Sequence, residues 1–167
     1  MPHSGGQGES SWNQPEREAL ELLLMFHVRQ PYAMLMACHK AFFDTDRNGF
    51  GRILRAVSVV SFRYNVICNL QTHDQENLYN DMARKVTGGL YDSSRSVMAA
   101  LLPVSPDDET FKTAFSRKEL KTTSGRNKRV VTYILSRLEH QISGKVPDVE
   151  SSVYSLEHIL PQNAGEV

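Results

Sequence analysis

Phe50-Gly51-Arg52-Ile53-Leu54-Arg55-Ala56-Val57-Ser58-Val59-Val60-Ser61-Phe62-Arg63-Tyr64-Asn65-Val66-Ile67-Cys68 is the stretch that decides the fold. Phe50, Ile53, Leu54, Val57, Val60, Ser61, Tyr64, Ile67 and Cys68 recur at three- and four-residue steps, so they share one face of a helix about five turns long. A strand would need alternation, and there is none here. This is the expected central helix, and the same period continues on both sides of it.

Upstream, Pro15 followed by Glu16 and Glu18 gives a first turn suited to the positive end of a helix dipole, predicting a helix to about Arg29. Pro31 restarts the chain into a second helix reaching about Phe43. Asp44 to Gly51 reads as a polar turn. Downstream, Thr72 and Gln75 have capping-box spacing and open a helix that stops near Gly88-Gly89. A further helix is expected from about Ser93 to Leu102. Ser105-Pro106-Asp107-Asp108 starts another, over Pro106 to about Ser116. Lys118 to Gly125 reads as a loop, and Val131, Ile134, Leu135, Leu138 and Ile142 mark the buried face of a last long helix that Gly144 and Pro147 end. Ser152-Val153-Tyr154-Ser155-Leu156 is β-branched and aromatic enough for a short extended segment. The expected fold is all-α, a bundle of about six to seven helices with a short extended C-terminal tail. Residues 1–14 are expected to be a disordered leader, residues 15–147 the helical domain, and residues 148–167 a tail of different character.

Composition narrows the function classes. The chain has 167 residues, room for one ordinary domain. Its hydrophobic content of 40% is enough for one core. Apolar runs are broken by His27, Arg29, His39 and Arg63, so none approaches the roughly 18–20 residues of a membrane span. The Gly- and Ser-rich start lacks the pattern of a secretory signal. Cys38 and Cys68 sit in apolar helical patterns, belong to no C-x-x-C pair, and read as core residues in a reducing cytoplasmic setting. Nineteen basic residues balance nineteen acidic ones, which excludes a surface that is basic throughout. The local balance differs, because Lys112 to Arg137 holds eight Lys or Arg against Glu119 alone.

Asp44-Thr45-Asp46-Arg47-Asn48-Gly49 matches the first half of a calcium loop. Arg55 stands where the bidentate Glu would have to be, so a capped interhelical turn is the better reading. Arg52, Arg55 and Arg63 are expected to be solvated or paired with acids of neighbouring helices. Arg126, Lys128 and Arg129 are more informative, since cations at a helix N-terminus oppose the dipole and are better tolerated beside an anion. A phosphate backbone would supply one, and water would serve as well. Among the histidines only His158 stands out, beside Glu157 and before Ile159-Leu160-Pro161-Gln162-Asn163. An imidazole can take a proton from water, and an adjacent carboxylate can hold a divalent cation.

Glu157-His158-Ile159-Leu160-Pro161-Gln162 resembles the string that opens the nuclease half of the GmrSD-type modification-dependent restriction endonucleases. Arg52-Ile53-Leu54-Arg55 and Ser61 through Cys68 are similar to that family's helix ending in an Arg-Arg-x-Ile-Cys-like sequence, and Arg126 through Glu139 to the helix before the nuclease motif. The resemblance covers roughly Ala19 to Asn163, in the family's order. It implies a nucleotide-dependent enzyme that recognises modified DNA and cuts phosphodiester bonds through an HNH or His-Me finger, leaving a 5′-phosphate and a 3′-hydroxyl. By it, His158 is the general base and Glu157 a metal ligand or second-shell partner. A Mg-class divalent metal serves the complete parent, and Arg126, Lys128 and Arg129 are candidate DNA contacts. The implied partners are DNA and an N-terminal nucleotidase domain of the same protein, with no membrane.

The sequence departs from the family's pattern in lacking the ParB-like nucleotidase domain and in reaching Val167 before the rest of the finger. The expectation is therefore a helical connector from a restriction-type DNA endonuclease, inactive alone, with no metal bound in this fragment and a tail from about Asp148 loosely held. The alternative is a free-standing helical protein-interaction module without catalysis.

Overall fold

The computed structural model describes residues 11–145 and Leu156. Among these the chain is all-α, with seven α-helices and no strand: α1 (Gln14–Phe26), α2 (Tyr32–Phe42), α3 (Arg47–Ser61), α4 (Thr72–Thr87), α5 (Ser94–Leu101), α6 (Asp108–Ser116) and α7 (Gly125–Ser143). A π-helical turn, Phe62–Ile67, extends α3, and a 3₁₀ turn, Leu102–Val104, extends α5. The chain divides into two compact units, Met1–Lys118 and Glu119–Val167.

In the first unit α3 packs against α1, α2 and α5, while α2 carries α4 on another side. The central position follows from its sequence: Phe50, Ile53, Leu54, Val57 and Val60 are all buried. They meet Leu23 of α1, Met34 and Cys38 of α2, Tyr79 and Met82 of α4, and Val97 and Leu101 of α5 in one core. Cys38 and Cys68 are free thiols, the first buried and the second half-buried. Burial alone pushes the Cys38 thiol up to about 12, so it is an inert core residue.

The helix ends depart from the sequence expectations for identifiable reasons. α1 stops at Phe26, short of Arg29, because His27 takes the left-handed conformation at φ 58°. Val28 N–H then donates to the Leu23 carbonyl and His27 N–H to the Leu24 carbonyl, a Schellman closure made without glycine. The polar turn after α2 is also shorter than expected. α3 already begins at Arg47, because the Asp46 side chain accepts from the Gly49 amide at 2.9 Å and caps the helix. Gly49 and Gly51 thus lie inside α3. A Cβ at Gly49 would run into the Asp46 carboxylate and the Ser94 hydroxyl, which themselves bond at 2.6 Å, so only glycine leaves the cap in place. The calcium-loop reading fails here, with Asp46 used as a cap and the second half of the loop wound into helix.

The π-turn changes which residues of the central stretch face inward. Cys68 N–H donates to the Arg63 carbonyl, five residues back, and the extra residue per turn rotates the face. Val66 and Ile67 are buried, whereas Tyr64 and Cys68, expected on the buried face, are only half-buried. Tyr64 instead donates its hydroxyl to the Gln71 carbonyl at 2.7 Å, tying down the turn that leads into α4.

The capping box expected at Thr72 does not form. Gln71 occupies the cap position without a side-chain bond, and Gln75 is buried, accepting from the Asn65 amide at 2.9 Å. At α6 the cap is Asp107 in place of Ser105, accepting from the Thr110 amide at 2.7 Å. Arg63 fulfils its expected structural pairing. Its guanidinium donates to the Pro106 carbonyl at 2.8 Å and to Asp108 at 2.7 Å, and it lies 4.6 Å over the Phe111 ring, fixing α6 to the π-turn. Arg52 and Arg55 are exposed.

Glu16 links the start of α1 to the start of α3. It is 1% exposed, completes a capping box with Asn13, and receives two hydrogen bonds from the Arg47 guanidinium, at 2.5 and 2.6 Å. These bonds hold its carboxyl below the ordinary 4.5 although burial pushes the other way. A depressed folded-state pKa means the contribution is complete above the unfolded value and is lost as pH falls through the folded one. The thermal midpoint is therefore expected to fall as pH drops below about 4.5. Glu16→Gln should flatten that fall while lowering the midpoint at pH 7. An identical pH profile in Glu16→Gln would assign the acid sensitivity to the capping carboxylates Asp46 and Asp107, which are also depressed.

Candidate nucleic-acid interface

The basic segment opens the second unit. Ser124 caps α7 by accepting from the Asn127 amide at 3.2 Å, as a Ser before a helical run favours. Asn127 in turn donates its side-chain amide to the Lys121 carbonyl at 2.9 Å, so the loop is held against the first turn. That turn has no acidic residue. Its positive dipole end and its cations therefore add, which favours a nearby anion.

The three nominated cations do not form one patch. At about 100° per residue, Arg126 and Arg129 are adjacent around the helix, while Lys128 points roughly 160° away from Arg126. Arg126 is half-buried; Lys128 and Arg129 are exposed. Tyr133 and Arg137 fall on the Arg126 stripe, and Arg137 is exposed. Lys128 instead shares its stripe with Glu139, eleven residues on. Arg126, Arg129 and Arg137 thus lie within about 80° of one another around α7. Sequence reasoning does not nominate Arg137, although its spacing of eleven from Arg126 is the available signal.

The apolar side of α7 also differs from expectation. Of the five residues read as a buried face, Val131 and Ile134 are half-buried, while Leu135, Leu138 and Ile142 are exposed; Val130 is the buried residue of the helix. Periodicity locates the apolar stripe but says nothing of what covers it. Gly144, left-handed at φ 71°, ends the helix as expected. The extended segment at Ser152 to Leu156 lies outside the described residues except for Leu156, which is half-buried. Glu157 and His158, the nominated metal ligand and general base, lie outside them as well. Among the described residues no three His, Cys, Asp or Glu side chains come together, and no helix is long and apolar enough to cross a membrane.

Residues 105–166 match the family described as GmrSD restriction endonucleases, C-terminal domain. Over this stretch the chain is similar to the C-terminal domain of that family. The GmrSD segment takes in α6, the loop, α7 and the Glu157-His158 string together. The upstream resemblance, Arg52 to Cys68, precedes the matched residues. No curated protein and no solved structure matches the chain.

Proposed function

We propose that this chain is the helical connector and nuclease-proximal part of a restriction-type DNA endonuclease, in which α7 contacts the DNA backbone and leads into an HNH-type metal site. The GmrSD segment carries this reading, because it joins a basic helix to a string holding an imidazole and a carboxylate. In that site His158 deprotonates the attacking water. Glu157 holds a Mg-class cation, which when bound stabilises charge developing on the scissile phosphate. Arg126 and Arg129 neutralise phosphates beside it. The partners are DNA and a nucleotidase domain of the same protein, in the cytoplasm.

One imidazole and one carboxylate do not complete such a site. The 167-residue polypeptide is accordingly expected to retain DNA in a gel-shift assay at low salt and to leave plasmid DNA uncut with Mg²⁺ present. Mg²⁺-dependent cutting that His158→Ala abolishes would show that the chain needs no further residues. Absence of any DNA retention at about 50 mM salt, where phosphate contacts are strong, would remove the backbone-contact role and favour a helical protein-interaction module.

A further inference from the structure

Past Ser61 the sequence supports two ways of continuing α3. A straight α-helix would carry Tyr64 and Cys68 onto the stripe of Val57, Val60 and Ser61, all buried, and Val66 onto that of Val59, which is 49% exposed. The π-turn does the opposite. It buries Val66 and leaves Tyr64 and Cys68 half-buried, so each register has an apolar set of its own, with Ile67 common to both.

The register adopted is a costly one. Ser61 Oγ, Asn65 Oδ1, Gln75 Nε2 and the Tyr79 hydroxyl are buried and have no hydrogen-bond partner among the described residues. Asn65 and Gln75 bond to each other at 2.9 Å, and that bond joins two helical stripes that each carry two of these unpaired atoms. Buried polar groups are ordinarily paired, so the layer between the turn and α4 is under-satisfied. Asn69, just past the turn, adds backbone strain at φ 50°. Against these costs stand the contacts of α6. Arg63 donates to the Pro106 carbonyl and to Asp108 and lies over the Phe111 ring, and the Phe62 ring is 6.2 Å from the same Phe111.

We propose that Phe62–Ile67 is a two-register switch held in the π form by α6: when α6 leaves Arg63, the turn rewinds to α-helix, Tyr64 and Cys68 rotate inward and Val66 outward. The helix after it yields readily, because α4 begins without a side-chain cap. Since α6 is the first helix of the matched residues 105–166, the register signals to the core whether that segment is seated. Nothing in this switch depends on cleavage chemistry.

Alkylation of Cys68 by iodoacetamide in the full 167-residue chain, located by mass spectrometry, reads the register. Cys38 does not compete, being buried with its thiol pushed up to about 12. Asp108→Ala with Phe111→Ala takes away the side chains that α6 offers Arg63 and leaves the Arg63 charge beside the thiol. If α6 merely lifted away, Cys68 would gain exposure and react faster. Rewinding turns the thiol inward instead, and alkylation is expected to slow at least about three-fold, which corresponds to about two thirds of the molecules rewound, since the rate follows the accessible fraction. Val66→Thr approaches from the other side, because it places a hydroxyl in the interior only in the π form. It should also slow Cys68, and it should speed amide exchange over 108–116 while α1 to α5 keep their protection. Unchanged or faster alkylation in the Asp108→Ala, Phe111→Ala chain would overturn the proposal. Should that chain lose the protection of α1 to α5, the same criterion applied to Val66→Thr decides.

Discussion

Phe50→Ala is expected to lower the stability of the first unit by about 3–5 kcal/mol, the range for deleting a fully buried phenyl ring. The ring is 1% exposed at the first turn of α3 and meets Trp12 at 6.0 Å, Phe43 at 5.7 Å and His39 at 5.5 Å, the last two edge-on. Arg47 lies over the Phe43 ring at 3.6 Å, so the aromatic cluster also seats the guanidinium that binds Glu16. Removing the ring opens a cavity where α1, α2 and α3 converge and slackens the Glu16–Arg47 clamp with it. Its neighbours are rigid rings, which collapse poorly into a void, and this places the loss toward the upper end of the range. In a unit of this size the thermal midpoint should drop by more than about 10 °C. Leu90→Ala serves as the control, because Leu90 is 68% exposed. Its truncation should stay within about 0.5 kcal/mol. Equal losses in the two variants would mean that the core does not lie where α3 places it.

The same contrast shows what is legible in the sequence. Phe50, Ile53, Leu54 and Val57 announce their burial through helical spacing alone, and all four are core residues. Past Ser61, Ile67 still follows but Tyr64 and Cys68 do not, because the π-turn inserts a residue that no propensity signals and trades Tyr64 for Val66 at the interior. Caps are hard to place where two candidates compete. Ser105 and Asp107 both precede a helical run, and the cap falls to the residue whose carboxylate reaches the Thr110 amide. His27 is harder still, since its left-handed turn follows from the packing of Leu23 and Val28 and not from any glycine. Of the candidate site, the cation types and the GmrSD-type string are readable, and the distribution of cations around α7 is not. Counting Lys and Arg along the chain groups Lys128 with Arg126, but helical geometry separates them.

That separation makes DNA binding by α7 a sharp test. If Arg126 and Arg129 each neutralise a phosphate, replacing both with Ala should reduce the slope of log K against log salt by about 1.8, at roughly 0.9 per phosphate. At 0.1 M salt, taken relative to 1 M, this corresponds to an affinity loss of roughly sixty-fold. Lys128→Ala alone should leave slope and affinity nearly unchanged, because Lys128 projects to the side of α7 that also carries Glu139. The triple replacement should then match the double one, and Arg137→Ala should remove a further increment of about 0.9 from the slope. Unchanged affinity in the triple variant would exclude a phosphate role for the start of α7. A loss spread equally over Arg126, Lys128 and Arg129 would indicate diffuse attraction to the whole helix end instead of a backbone tracked by one side, since only a defined side makes the position of a cation around the helix matter.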